Sequence, residues 1–370
     1  MKACFGLFQL SLGAIFVVVT AMDLSSQSVP MTRLPARNAV LREEFSNLSM
    51  RSVRELQDGR ILVVETGSDS RLVVADFKSG LTLPIGRRGA GPGEYAVGGP
   101  IFALSGDSTL MVAGQNRWIV LFGDRIVQTI ALADYPPIFR SLLVGCDSSG
   151  FILVREPVRA RSDSTIAVLL SRKQIGTKSS LALSNRAEDG YPPDPRIRGT
   201  EVQYSSGPWK SREDAFLFPD GWLAVARMRP YRIDWRSPEG KWILGAPLPV
   251  PRVEADEREK RAYLARFPES QRPSGNTSGT VALWPKFVPP FLSSSSLLGT
   301  ADGKLLVART PTSDHPEARY DVVNRAGRIE RQIILGPADR ILGLGVRSVY
   351  VSTTDESGIQ QIARHAWPGP

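Results

Sequence analysis

Cysteine and histidine are nearly missing from this chain, with two of each in 370 residues. Cys4 lies at the extreme N-terminus and Cys146 stands alone in the rest, so no internal disulfide framework is available and stability must come from burial. Cys146 sits between the apolar "SLLVG" and "DSSG", the setting of a buried structural thiol rather than a nucleophile. The few His and Cys residues have no zinc-ligand spacing. His315 adjoins Ser313 and Asp314 in "TSDHPE", but the members of a catalytic triad rarely adjoin in sequence, and His365 alternates with Ile362 and Ala363 in a strand-like ending. No catalytic residue, metal ligand or cofactor is assigned on these grounds.

Runs of like charge are missing too. The formal net charge is +9, from 46 Lys and Arg against 37 Asp and Glu, and falls by one if Lys2 is removed. The basic residues are scattered, with no run of five and no aromatic interleaving, which argues against nucleic acid as a partner. An excess of this kind suits an anionic small molecule, polymer or protein. One long apolar run exists: residues 3–21, "ACFGLFQLSLGAIFVVVTA", carry no charge and follow Met1 and Lys2. A positive start, an apolar stretch and small residues at Val19 and Ala21 predict a signal peptide over 1–21, a linker over 22–38 and a secreted or periplasmic location. Membrane contact follows only if that segment is retained as an anchor.

What is present is a repeat. A turn, a β-branched period-two run, a hairpin and a partner strand recur at 58–80, 106–126, 148–170, 220–241, 302–328 and 346–367, about 45 residues apart where nothing intervenes. "SVREL", "IFALS", "SLLVG", "AFLFP" and "SLLGT" precede five of them as further short strands. Patterns of strong helices are nearly absent. A lone hairpin leaves its faces wet, whereas units arranged around an axis bury them and protect the sheet edges. The reading is all-β: one domain over 39–370, a six-bladed propeller of four-stranded antiparallel blades, with "AVLREEF" at 39–45 supplying the outermost strand of the last blade. Two long intervals leave seven blades as the alternative. A monomer is expected.

The stretch "IGRRGAGPGEYAVGGP" at 85–100 is rich in glycine but is not a phosphate cradle. Gly93 is followed by Glu94 and Tyr95 instead of Lys and Ser or Thr, and Pro92, Gly98, Gly99 and Pro100 forbid the helix that a nucleotide loop needs. Gly89, Gly91, Pro92 and Gly93 read as a structural connector between blades, where glycine takes positive φ without steric cost. From 84 to 125 the run "IGRRGAGPGEY", Pro100, "IFAL" and "STLMVAGQNRWIVLF" resembles bacterial exported propellers of the NHL-like repeat family. Asn116 and Arg117 stand where those repeats place Asn and Arg, while Gly114 departs from the usual Asp. The ending "TTDESGIQQIARHAW" looks like that group's last blade. The resemblance implies fold and export but no single activity, since propellers serve as binding modules, lyases and lactonases alike.

Counted from the turn glycine, Glu65, Arg227 and Arg309 each lie six residues on, and Arg155 lies five on. Equivalent offsets place side chains at one end of equivalent strands, so Arg155, Arg227, Arg309 and Glu65 are the candidate ligand-binding residues, facing an anion at one mouth of the ring. Two insertions interrupt the repeat. Residues 171–210 are polar and irregular, whereas 247–290 hold a helix predicted at about 253–267, between blades four and five, from acid-first, base-last charge order and i,i+4 pairs. The functional reading is a secreted or periplasmic binding module. The alternative is a lactonase- or lyase-like propeller enzyme with an on-axis site.

Overall fold

In the computed structural model the described residues are 29–66, 70–91, 93–114, 116–134, 142–155, 164–171, 176–184, 208–209, 212–267, 284–292, 296–354 and 359–368. The proposed signal segment, residues 22–28 of the linker, Pro92 and much of both insertions lie outside them. The strands fall into successive antiparallel sheets, taken here in chain order and written from the innermost strand outward. The first is Val53–Glu55, Ile61–Val64, Leu72–Ala75 and Thr82–Pro84, and the second is Ile101–Ala103, Ser108–Val112, Arg117–Phe122 and Arg125–Ala131. The third is Leu142–Cys146, Phe151–Arg155, Ser164–Ser171 and Gly176–Ser184, and the fourth is Asp214–Leu217, Leu223–Met228, Tyr231–Arg236 and Trp242–Ile243. The fifth is Leu297–Gly299, Leu305–Ala308, Arg319–Val323 and Ile329–Ile334, joined on its outer edge by the parallel strand Met31–Arg33. The sixth is Arg340–Leu344, Ser348–Thr354, Gln360–Ala366 and, outermost, Ala39–Val40.

The innermost strands touch in the order first to sixth, and the sixth returns to the first. The chain is a β-propeller. Short runs of Ile, Leu and Val make the second strands because both faces of each sheet are covered: Ile61, Leu62, Val63 and Val64 are all fully buried. Leu62, Val64 and Val74 pack on Met111, Ile119 and Leu121 between the first two sheets, and Ile61, Val63 and Val73 pack on Leu342, Tyr350 and Ile362 where the ring closes. Each such side chain withdrawn from water contributes about 1.5–3 kcal/mol before entropy is counted.

Several expectations need correcting. Among the described residues, five sheets are four-stranded blades of the expected kind, not six or seven, because the fifth sheet carries an extra strand. That strand comes from the segment read as a linker, and its backbone extends an edge that would otherwise be open. Gly176–Ser184, read as part of an irregular insertion, is the outer strand of the third sheet. The helix runs over Glu257–Leu264 rather than 253–267. Asp256 ends it by accepting hydrogen bonds from the Arg258 and Glu259 backbone N–H groups, and Val253–Glu254 instead pairs with Phe287–Val288 as a two-stranded sheet. The expected i,i+4 pairs are Glu254–Arg258, Asp256–Lys260 and Glu257–Arg261; Lys260 pairs instead with Glu257 at i,i+3, and Arg258 with Asp314.

The glycine connector is organised by two side chains. Glu94 accepts from the Gly91 N–H at 2.7 Å and from Arg87 at 2.6 Å, and Arg117 reaches the carbonyls of Ala90, Gly91 and Glu94. Arg87–Arg88 and Glu94–Tyr95 form a short parallel pair. Positive φ falls on Gly93 (+73°) and not on Gly89 or Gly91; at Gly89 a Cβ would run into the Glu94 carboxylate instead. Gly93→Val therefore carries a conformational cost with no clash, since nothing lies within 4 Å of its Cβ position. We expect urea denaturation to show a loss of about 1–3 kcal/mol. A loss indistinguishable from zero would mean the turn relaxes to another φ.

Candidate functional site

Each second strand ends at the same side of the ring as the start of the first strand beside it, as Asp214 opposite Ala226 and Val53 opposite Val63 illustrate. Glu65, Arg155, Arg227 and Arg309 consequently share one face, as their offsets implied. They do not form a ring of open charges. Glu65 is buried, accepts from the Ser46 N–H at 2.7 Å and its hydroxyl at 3.1 Å, and pairs with Arg71. It stands apart from the three arginines, which sit on the consecutive third, fourth and fifth sheets.

Arg227 donates to Glu213 at 2.7 Å and to Asp234 at 3.0 Å. Burial works against the Asp234 charge, but hydrogen bonds from Arg232 and Arg227 outweigh it and hold the carboxyl below its usual range. Arg309 donates to Asp321 at 3.2 Å and to the Pro290 carbonyl at 2.8 Å, and its guanidinium lies 5.3 Å from the centre of the Tyr231 ring. Asp321 is fully buried and also accepts from the Tyr231 hydroxyl at 2.9 Å and from Gln332 at 2.7 Å. Burial, and then the Asp321 charge, push the Tyr231 hydroxyl well above its ordinary pKa, so it remains a donor. Arg155 donates to Asp214 at 2.6 Å and to the Glu213 carbonyl at 3.0 Å. The acidic pair Glu213–Asp214 thus holds Arg227 with one residue and Arg155 with the other.

Beside Arg309 the same face opens into a cavity of about 420 Å³ between the fourth and fifth sheets. One wall is the Met228–Tyr231 turn, with its cis Arg229–Pro230 bond; the others are 247–253, 288–290 and 309–312. Met228, Tyr231, Leu248 and Val288 give it an apolar lining, while Arg229, Arg252 and Arg309 make its charge positive. Thr310 also lines it, and its hydroxyl is buried with no hydrogen-bond partner. Leaving a hydroxyl unpaired in an apolar setting costs about 1–3 kcal/mol, so such an atom marks a place where a ligand would repay contact. The insertion helix braces the 309–312 wall from behind. Buried Glu259 accepts from the Ser313 N–H, and Arg266 donates to the Pro311 carbonyl at 2.7 Å. Tyr263 on the helix packs against Trp209 and Trp284, which ties residues from both insertions together.

The axis holds a residue that sequence reading missed. Arg51, in the left-handed region at φ +69°, reaches from the first sheet across the ring. It donates to the Val144 carbonyl of the third sheet at 3.0 Å and the Leu297 carbonyl of the fifth at 3.2 Å, and lies over the Phe102 and Phe216 rings of the second and fourth. No local signal in "LSMRSVREL" marks it, because its partners are distant backbone carbonyls. Arg51 also lines a second cavity, of about 390 Å³, together with inner strands, turns and buried Cys146. Among the described residues no group of three His, Cys, Asp or Glu is placed to hold a metal ion, and no helix is long and apolar enough to cross a membrane.

No family model and no curated protein matches this chain. Solved structures do match in shape. A protein of unknown function from Bacteroides thetaiotaomicron VPI-5482 aligns over 91% of this chain and 74% of its own, at 11% identity and a TM-score of 0.42. A luciferin-regenerating enzyme aligns over 91% and 95%, at 9% identity and TM-score 0.41. The virginiamycin B lyase of Staphylococcus aureus aligns over 85% and 80%, at 9% identity and TM-score 0.38.

Proposed function

We propose that this protein is an exported six-bladed propeller of the NHL-like kind that binds an anionic ligand in the cleft between the fourth and fifth sheets. The observation that carries the site is Thr310, a buried hydroxyl without a partner in the wall of a cavity whose charged end is Arg309. An anion accepting from both would satisfy the hydroxyl and share Arg309 with Asp321. The apolar lining suits a ligand with an apolar body, and the open side suits the end of a polymer or protein chain as well as a small molecule. The blade count rests on the closed cycle of innermost strands, the family on the connector and Asn116–Arg117, and export on the uncharged run at 3–21.

Titration calorimetry against benzoate, glucuronate and inorganic phosphate tests the site. Arg309→Met should weaken any binding by about tenfold or more, and Thr310→Val by about threefold to tenfold. Thr310→Val should leave thermal stability unchanged or raised, because it removes an unpaired polar atom. Binding that neither substitution alters would move the site elsewhere, and a full absence of binding across the panel would remove the anionic reading.

A further inference from the structure

The second cavity is the central channel itself. All six sheets contribute to its wall, and the turns between first and second strands supply Gln57, Gly106, Ala301 and Val346. These turns lie at the other end of the strands from Arg309, as the pairing of Glu55 with Ile61 and of Leu297 with Val307 shows. The channel mouth and the Arg309 cleft therefore open on opposite faces of the ring, and they share no lining residue. Arg51 precedes the first strand and spans the channel at the end away from the turns.

The charged groups of this wall are already engaged. Arg54 donates to the Gly106 and Ser108 carbonyls and to the Thr109 hydroxyl. Glu55 accepts from the Val346 N–H and the Tyr350 hydroxyl, both at 2.9 Å, and Asp107 accepts from the Gln57 N–H at 2.8 Å. Arg51 turns its donors to the Val144 and Leu297 carbonyls, so it offers an anion little beyond its charge, and that charge repels a cation. The Cys146 thiol donates to the Ala103 carbonyl at 3.4 Å. Between these groups Val53, Ile101, Phe102, Phe216, Leu298 and Leu344 give an apolar surface. What stays open is main chain. The innermost strands are sheet edges, each with a row of N–H and C=O groups outside the ladder, and Gly299, Gly343 and Gly345 bring bare backbone to the cavity. Such groups donate and accept without carrying charge.

We propose that the channel is a second binding site, for a compact uncharged molecule: an apolar ring system with a hydroxyl or carbonyl group. Its body would displace water from the apolar wall, and its polar group would meet the open backbone. The cavity, of about 390 Å³, exceeds the roughly 150 Å³ that holds benzene and lies in the usual range of small-molecule sites, which suits about two fused rings. This assignment does not depend on the anion reading of the cleft.

The test is titration calorimetry of the full chain with 2-naphthol, uncharged at neutral pH, with and without excess benzoate. Ala301→Trp and Val346→Trp each place an indole at the channel mouth from an exposed turn position, where the core is not disturbed. Wild type should bind 2-naphthol in a saturable way, and benzoate should not displace it. Each tryptophan variant should bind 2-naphthol about tenfold or more weakly and keep any wild-type affinity for benzoate. No binding of 2-naphthol to wild type, or wild-type affinity in both variants, would overturn the proposal. So would displacement by benzoate, since that result puts the naphthol in the cleft.

Discussion

Arg51→Ala is expected to lower the free energy of unfolding by about 2–4 kcal/mol, a sizeable fraction of the roughly 5–15 kcal/mol that keeps a typical domain folded. The Arg51 side chain is bonded to the carbonyls of Val144 and Leu297 and stacks over Phe102 and Phe216, so it touches four sheets besides its own first sheet. Its backbone adds the sixth, through the bond from its N–H to the Leu342 carbonyl at 2.8 Å. A hydrogen bond to a charged group is worth about 1.5–3 kcal/mol, and truncation leaves the two carbonyls without this donor near the axis. Relief of the burial penalty on the guanidinium and of repulsion from Arg155 works the other way, which brings the sum down. The left-handed backbone separates the side chain from the main chain. Alanine at φ +69° keeps the strain and glycine removes it, so Arg51→Gly should be about 1 kcal/mol more stable than Arg51→Ala. Urea denaturation with a constant m-value measures both. A loss under about 0.5 kcal/mol for Arg51→Ala would show that packing between neighbouring sheets holds the ring without its axial residue.

Arg51 also shows where sequence reading stops. The second strands were legible because a turn glycine precedes a short apolar run that must be buried on both faces, as in Leu223–Met228 and Leu305–Ala308. Five of the innermost strands were legible as short apolar stretches ahead of those runs. Arg340–Leu344, the innermost strand of the sixth sheet, was not singled out, since it follows the fifth repeat without a break. Gly176–Ser184 passed for a loop because an outer strand has few neighbours to bury against and its "GTKSS" start is polar. Met31–Arg33 is three residues at an edge, too short for any periodicity to appear. For the site, the offset from the turn glycine singled out Glu65, Arg155, Arg227 and Arg309, and the three arginines lie at or beside the ends of the second strands Phe151–Arg155, Leu223–Met228 and Leu305–Ala308. It said nothing of their partners. Asp234 and Asp321 belong to the neighbouring strand, and only the register shows that they oppose Val225 and Val307. The Thr310 hydroxyl is likewise silent in sequence, because its lack of a partner is a property of the surroundings.

Replacing Asp321 should give the other large effect. This carboxylate is fully buried and accepts from Arg309, the Tyr231 hydroxyl and Gln332. Asp321→Leu removes all three interactions at once and leaves a mostly buried guanidinium without its counter-ion, a change that costs about 3–5 kcal/mol. Because Arg309 opens onto the cleft, the same substitution should raise the affinity of that cleft for an anion: the guanidinium is no longer shared with an internal carboxylate. Stability and binding then move in opposite directions, which a loss of fold alone cannot produce. A double-mutant cycle with Arg309→Met completes the argument. If the pair interacts as the 3.2 Å contact indicates, the double variant should recover a good part of the stability lost in Asp321→Leu, since two apolar groups replace two charges and neither is left stranded. It should at the same time lose the gain in anion affinity. Additive losses across the cycle would mean that Asp321 serves Tyr231 and Gln332 rather than Arg309, and that the charge of Arg309 is already free to meet a ligand.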